Sequence, residues 1–293
     1  MKITVLGIGL MGAPMSLRLL NAGFQTTVWN RSPSKAEGMK AAGARVSPSP
    51  KEAVCEADMV ITMLSDGDAV AKVLFDMGME SAAAAMKPGA LLVDMSSILP
   101  MQAQDHAKRL AAMGLHALDA PVSGGTLGAE GGTLAIMAGG AEADFERACA
   151  VLEVLGRPVH VGPAGSGQLC KLANQMIVGI TIGAVAEALL LAEQGGANPA
   201  KVREALRGGF AESRILEVHG QRMVDQDFAK RGSLAIQLKD LRNSMHTAQG
   251  LGFEAPITAH LTDLYQQAFE QGLGELDQSA LFKLLQSQQT QAK

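Results

Sequence analysis

One stretch, Gly165–Gly196 (GSGQLCKLANQMIVGITIGAVAEALLLAEQGG), limits what the rest of the chain can fold into more than any other. It contains no proline, and its pattern predicts a single helix from Ser166 to Gln194. Such a helix reaches about 40 Å, more than one small domain needs. Its first turns are polar (Gln168, Lys171, Asn174, Gln175), and Met176–Ala186 is then apolar on every side. A helix that is apolar all round is expected to be buried all round. The apolar run is shorter than the roughly 18 residues of a membrane span, and Glu187 interrupts it. A central helix covered by globular parts on each side, or by a second subunit, is therefore expected rather than a membrane segment. Lys171, Asn174 and Gln175 stand at i, i+3 and i+4 and share one face. A lysine there is costly to bury without a partner or a task, so Lys171 is the first candidate for chemistry.

Length and composition narrow the function classes. The 293 residues, 47% hydrophobic and 18% charged, suit one large or two medium domains. Aromatic residues make up only 3%, which leaves little surface for stacking nucleic-acid bases, and the net charge of −4 gives no basic field to attract them. No nucleic-acid partner is expected. Cys55, Cys149 and Cys170 are scattered without a paired framework, which points to a reducing, cytoplasmic setting. The six histidines show no ligand spacing, so no metal is expected. The first twenty residues have the apolar character of a secretory signal, but Arg18 breaks the run and no small-residue cleavage pattern follows.

The glycines near the start have another explanation. Lys2–Leu6 reads as a strand and the pattern from Met15 to Leu20 as a helix, with Gly7-Ile8-Gly9-Leu10-Met11-Gly12 between them. A strand, G-x-G-x-x-G and a helix form the context of a dinucleotide-binding turn. Gly7 permits the tight turn, Gly9 lets the backbone approach a pyrophosphate, and Gly12 lets helix and strand pack closely. The second strand, Gln25–Trp29, ends in Asn30-Arg31-Ser32, where an acid would hold a free ribose 2′-hydroxyl. A neutral Asn30 followed by cationic Arg31 suits a 2′-phosphate instead, so NADP(H) is expected to be preferred over NAD(H). The alternative for Arg31 is an ordinary solvated loop arginine.

Strand–helix alternation continues. Asp58–Leu64, ending in Met63 and Leu64 beside the expected cofactor, and Ala90–Asp94 read as buried parallel strands, with a short alanine-rich helix at Glu80–Met86 between them. Met95–Pro100 is expected to be a loop at a strand's carboxyl end, where open α/β sheets bind ligands. Leu115–Ala120 is a further strand. The Ser123-Gly124-Gly125 segment after it is either a plain turn or a cluster of N–H groups facing an anion. Late strands at Thr133–Ala138 and Val159–Val161 enclose a helix at Ala143–Leu155, and everything after the long helix is helical. The expected architecture is α/β: a dinucleotide-binding domain over residues 1–163, and an all-α substrate and oligomerisation domain over 164–293 that includes the long helix. Gln286–Lys293 is expected to fray. The apolar circumference of Met176–Leu191 and the apolar face of Leu281–Leu285 call for a partner, which makes a homodimer or homotetramer the expected form.

Four stretches in order, GIGLMGAPMS, DMSSILP, DAPVSGGTLGAEGGTLAIMAGG and GQLCKLANQ, together with Lys239-Asp240-Leu241, resemble the β-hydroxyacid dehydrogenases across essentially the whole chain. That resemblance implies an N-terminal Rossmann domain and a helical C-terminal domain joined by a long helix. It also implies hydride transfer between a nicotinamide cofactor and a short β-hydroxy acid or semialdehyde that carries a carboxylate. By resemblance Lys171 is the general acid–base and Asn174 its catalytic neighbour. Ser96 and Ser97 then belong to the cofactor loop and Lys239 to the nicotinamide end, while Ser123, Gly124, Gly125 and Gln175 bind substrate. KLANQ and LRGGFAES are most similar to the tartronate semialdehyde reductase branch. The 3-hydroxyisobutyrate, glyoxylate and succinic semialdehyde branches, and an inactive cofactor-binding relative, are the alternatives.

Overall fold

The computed structural model describes residues Met1–Gln291, apart from the side chains of residues 290 and 291. The chain divides into two compact units, Met1–Lys171 and Leu172–Lys293. The division falls inside the long helix, eight residues beyond residue 163 (171 − 163).

The first unit alternates strands and helices: β1 (Lys2–Leu6), α1 (Gly12–Asn21), β2 (Gln25–Trp29), α2 (Pro33–Glu37), β3 (Arg45–Val46), α3 (Pro50–Val54), β4 (Met59–Thr62), α4 (Gly67–Phe75), β5 (Leu91–Asp94), α5 (Pro100–Ala112) and β6 (His116–Asp119). It continues through β7 (Val122–Ser123), α6 (Gly125–Gly131), β8 (Leu134–Gly140), α7 (Glu142–Leu155) and β9 (Gly156–Gly162). The strands form one sheet in the order β3-β2-β1-β4-β5-β6-β8-β7, with β9 on β8. The run from β3 to β6 is parallel, and β8 is antiparallel to β6 and β7. Successive β1 residues serve opposite faces: Ile3 and Val5 pack with Met15, Leu19, Val28 and Leu152, while Leu6 packs with Val60, Leu74, Leu92 and Leu110. Both faces of the sheet are thus covered, which is why β4 and β5 at its centre are buried at every position.

One expectation for this unit fails. Glu80–Met86 is not a helix; it holds only short 3₁₀ turns at Gly78–Glu80 and Ala83–Ala85. The run is too short for its alanine propensity to nucleate a helix, and Pro88 follows while Met86 is already extended (ψ 146). The helix lies earlier, at α4, where the Asp66 carboxylate accepts the Ala69 N–H at 2.8 Å and caps the first turn. After β6, Ser123 ends a short strand, Gly124 makes a bend and Gly125 begins α6.

The second unit contains most of α8 (Ser166–Gln194), then α9 (Pro199–Leu206), α10 (Arg214–Asp225), α11 (Leu234–Gly250), α12 (Pro256–Ala268) and α13 (Leu281–Gln291). Ile182, Ala186 and Leu189 of α8 share a core with Leu216, Leu238, Leu241, Tyr265 and Leu281. Added methyl groups at Gly179 and Gly183 would meet Leu261 at 3.0 and 3.1 Å, so these glycines let α12 lie close against α8. By length and mean hydropathy (1.9 in its most apolar window) α8 could cross a membrane, but 44% of that window is buried and it serves as the core helix of this unit.

Within one chain α8 is not covered on every side. Ala173, Ile177, Ala184, Ala188 and Leu191 form an exposed stripe, with Ile177 66% and Leu191 76% exposed. The face of Leu281–Leu285, by contrast, needs no second subunit, because Leu281, Phe282, Leu284 and Leu285 are buried within the unit's own core. Residues 286–291 continue α13 instead of fraying, and the last two residues lie outside those described.

Candidate active site

Gly7 leaves β1 with φ 112, a conformation that favours glycine, and a side chain there would run into the Met63 carbonyl. A side chain at Gly12 would strike the Gly7 carbonyl. The two glycines therefore set how closely the turn, α1 and the end of β4 approach one another. Gly9 differs: no atom lies within 4 Å of where its Cβ would stand. That open ground faces the start of α1, where Met11 in the capping position offers no side-chain acceptor. The helix start thus keeps N–H donors and the positive end of its dipole for an anion, and the residues fit a dinucleotide's pyrophosphate. Ile8 is buried beneath the turn, Leu10 stands exposed on its crest, and Met11 is half-buried. Met63 and Leu64 are half-buried alongside it.

Asn30 is part of the turn's construction. Its Oδ1 accepts the Ile8 N–H at 2.9 Å and its Nδ2 donates to the Ser32 carbonyl at 3.0 Å, tying the glycine turn to the end of β2. Arg31 and Ser32 are exposed beside it, and Arg31 has no ion-pair or hydrogen-bond partner among the described residues.

Ser96 is wholly buried, so its side chain presents no surface to a ligand, contrary to the sequence expectation. The reason is a polar network at the strand ends. The Ser96 hydroxyl accepts the Leu64 N–H at 2.9 Å, and its own N–H donates to the Asp94 carboxylate at 3.0 Å. Thr62 donates to the same Asp94 oxygen at 2.8 Å. Ser97, next along, is half-buried. Asp94 is paired in register with Asp119 on β6, and burial pushes both carboxyls up, Asp119 to about 7. The N–H bonds that Asp119 accepts from Gly165 and Gln168, each 2.8 Å, oppose that rise by favouring its ionised form. Gln168 is also fully buried; its Nε2 donates to the Ser96 carbonyl at 2.8 Å and its Oε1 accepts the Ile98 N–H at 3.1 Å. Asp94, Asp119 and Gln168 were not singled out from the sequence. The available signal was an acid ending each of two neighbouring strands and a glutamine in the first turn of the long helix.

Lys171 follows on α8 and is buried, with 8% of its surface exposed, as the last residue of the first unit. In the same unit, half-buried Ser123 leads into exposed Gly124 (φ 143) and Gly125 (φ 63), both in backbone regions suited to glycine.

The second unit holds the remaining candidates. The Asn174 amide donates to Gln175 Oε1 at 2.8 Å. Gln175 is buried, and its Nε2 donates to Gln237 Oε1 at 3.0 Å and to Asp240 Oδ2 at 2.8 Å. Gln237 in turn donates to the Gln175 carbonyl at 3.0 Å. Both amide hydrogens of Gln175 are engaged inside the fold, so its geometry holds Asn174 rather than meeting a substrate. Lys239, partly exposed, lies 3.1 Å from the other Asp240 oxygen.

Comparison with known proteins agrees with this geometry. Residues 2–165 match the model of the NAD binding domain of 6-phosphogluconate dehydrogenase, and residues 165–285 match the NAD-binding model of NADP-dependent 3-hydroxyisobutyrate dehydrogenase. The chain is 42% identical over 287 residues to 2-hydroxy-3-oxopropionate reductase of Escherichia coli K12, covering 98% of this chain and 97% of that protein. The solved structure of Mycobacterium tuberculosis 3-hydroxyisobutyrate dehydrogenase with L-serine is 35% identical at a TM-score of 0.88, covering 97% of this chain and 98% of that one. An imine reductase from Myxococcus stipitatus, 21% identical at a TM-score of 0.64 and covering 97% of this chain and 99% of that one, shares the fold alone. With a dinucleotide turn in one unit and these relatives along its whole length, the chain belongs to the 3-hydroxyisobutyrate dehydrogenase-like family of β-hydroxyacid dehydrogenases, NAD(P)-dependent oxidoreductases acting on CH–OH donors.

Proposed function

We propose that the chain reduces a short semialdehyde bearing a carboxylate, of the tartronate semialdehyde type, to the corresponding hydroxy acid with NADP(H). The observation that carries this reading is buried Lys171 on α8, in the same compact unit as the glycine turn. The 42% identity to the Escherichia coli 2-hydroxy-3-oxopropionate reductase supports the substrate class. The nicotinamide supplies the hydride. Lys171 Nζ holds the proton that goes to the carbonyl oxygen as negative charge builds there. Asn174, steadied by Gln175, orients Lys171 or binds a substrate oxygen. The Ser123 hydroxyl and the N–H groups of Gly124 and Gly125 receive the carboxylate, and Lys239 serves the nicotinamide end. A spectrophotometric panel of tartronic, methylmalonic and succinic semialdehydes and glyoxylate, each with NADPH and NADH, tests the assignment. Tartronate semialdehyde with NADPH is expected to give the highest kcat/KM. A larger value for methylmalonic semialdehyde would move the chain to the 3-hydroxyisobutyrate branch.

The cofactor preference rests on exposed Arg31 beside the engaged Asn30 amide. Losing a charged donor to the 2′-phosphate costs roughly 1.5–3 kcal/mol, so Arg31→Ala is expected to weaken NADPH binding about 10–150-fold and leave NADH nearly unchanged. Equal losses for both cofactors in fluorescence titrations would exclude Arg31 as the phosphate reader.

The exposed stripe through Ile177, Ala184 and Leu191 supports a homodimer or homotetramer assembled on α8. Light scattering at micromolar concentration is expected to give a multiple of the 30.5 kDa chain mass, and a value near one chain defeats this reading. The three free cysteines support a reducing, cytoplasmic setting.

A further inference from the structure

The network at the start of α8 does more than cap a helix. Asp119, at the end of β6, grips the first turn with both carboxylate oxygens, one on the Gly165 N–H and one on the Gln168 N–H. A methyl group at Gly167 would strike the Asp119 carbonyl, and one at Gly139 would come within 2.7 Å of Asp119 Oδ1 and 2.6 Å of the Gly167 nitrogen. The helix start is therefore seated against the strand ends with no slack. From that seat the Gln168 side chain reaches back to both ends of the Ser96–Ile98 segment, and Ser96 in turn holds the N–H of Leu64, beside the glycine turn. Lys171 stands three residues beyond Gln168, a rise of about 4.5 Å along the same helix.

We propose that Gln168 and Asp119 are positioning residues that fix Lys171 relative to the cofactor-binding turn: Asp119 by clamping the first turn of α8, Gln168 by bonding that turn to the Ser96–Ile98 segment. The chain of bonds Leu64–Ser96–Gln168–Asp119 runs without a break and is buried from Ser96 to Asp119. A shift of about 1 Å in a reacting group can lower a rate about 100-fold, so holding this register has direct kinetic value. The proposal rests on Lys171 being the proton donor of the reaction above.

Two variants approach the helix from opposite sides. Gln168→Met keeps the volume and removes both side-chain bonds. Asp119→Asn keeps one acceptor and sets an amide NH₂ against a backbone N–H. In each, kcat per folded enzyme is expected to fall about 10–100-fold, with the KM for substrate and the Kd for NADPH within about threefold of the parent. In a Lys171→Ala background, Gln168→Met is expected to lower kcat less than about twofold further, because the group it positions is gone. A lower melting temperature with kcat per folded enzyme unchanged in both variants would overturn the proposal. So would a Gln168→Met loss of equal size with and without Lys171. Turnover retained by Lys171→Ala alone defeats the acid–base reading, and this inference with it.

Discussion

Lys171→Ala is expected to lower kcat by about 10²–10⁴-fold, the usual worth of a positioned general acid–base, while NADPH binding stays near that of the parent. The separation follows from position. The glycine turn precedes α1, and Asn30 and Arg31 follow β2, whereas Lys171 lies on α8 after the last strand of the unit. On the acid–base reading, removing its side chain deletes the proton donor and leaves the hydrogen bonds of Asn30 in place. If the lysine acts only as the hydride arrives, kcat and kcat/KM fall together. Steady-state kinetics with NADPH titrations decide the matter, and near-parental turnover in a correctly folded variant excludes Lys171 as the acid.

The second large effect is on stability and lies in the helical unit. Asp277 is wholly buried just before α13, where it accepts bonds from Arg222 Nη1 at 2.9 Å, Ser279 Oγ at 2.7 Å and the Ser279 N–H at 3.1 Å, with His219 Nδ1 at 3.3 Å. Burial alone would raise its carboxyl, but the hydrogen bonds of His219 and Ser279 and the charge of Arg222 outweigh it and hold the group well below its ordinary 3.8. Asp277→Ala leaves a guanidinium and its neighbouring donors without their acceptor and is expected to cost roughly 3–5 kcal/mol. Because the folded-state value is depressed, the contribution is complete above the ordinary 3.8 and is lost only as pH falls through the lower folded value. Urea unfolding followed by helical circular dichroism is expected to show a constant deficit at neutral pH that shrinks in strong acid. A deficit under about 1 kcal/mol at pH 7 contradicts the role given to Asp277.

Much of this molecule could be read from local pattern. The extent of α8 shows in its sequence because proline is absent from it and glycine closes it, and the dinucleotide turn shows because three glycines at fixed spacing separate a strand from a helix. The supports of the site were less legible because they depend on distant partners. Nothing near Gln168 shows that a segment some seventy residues earlier will bond to its amide, as the Ile98 bond does (|i−j| of 70). Ser96 looked like a ligand residue because it follows a strand, yet the network around Asp94 draws it out of reach. Gln175 sits on the same helix face as Lys171 but is claimed by Gln237 and Asp240 from α11. The stripe at Ile177 and Leu191 was concealed for a different reason: an all-apolar helix carries no mark of which side its own chain leaves uncovered.

The bonds made by Asn30 bear on redesign. To hold a free ribose 2′-hydroxyl, an engineer would first place an aspartate at this position. One carboxylate oxygen would still accept the Ile8 N–H, but the other would face the Ser32 carbonyl that now receives a donated hydrogen. Two acceptors would then oppose each other directly beneath the phosphate-binding turn. Placing an acid here therefore requires the backbone after β2 to be redirected at the same time. The redesign must begin at Ser32 and the start of α2, not at the side chain that would touch the ribose.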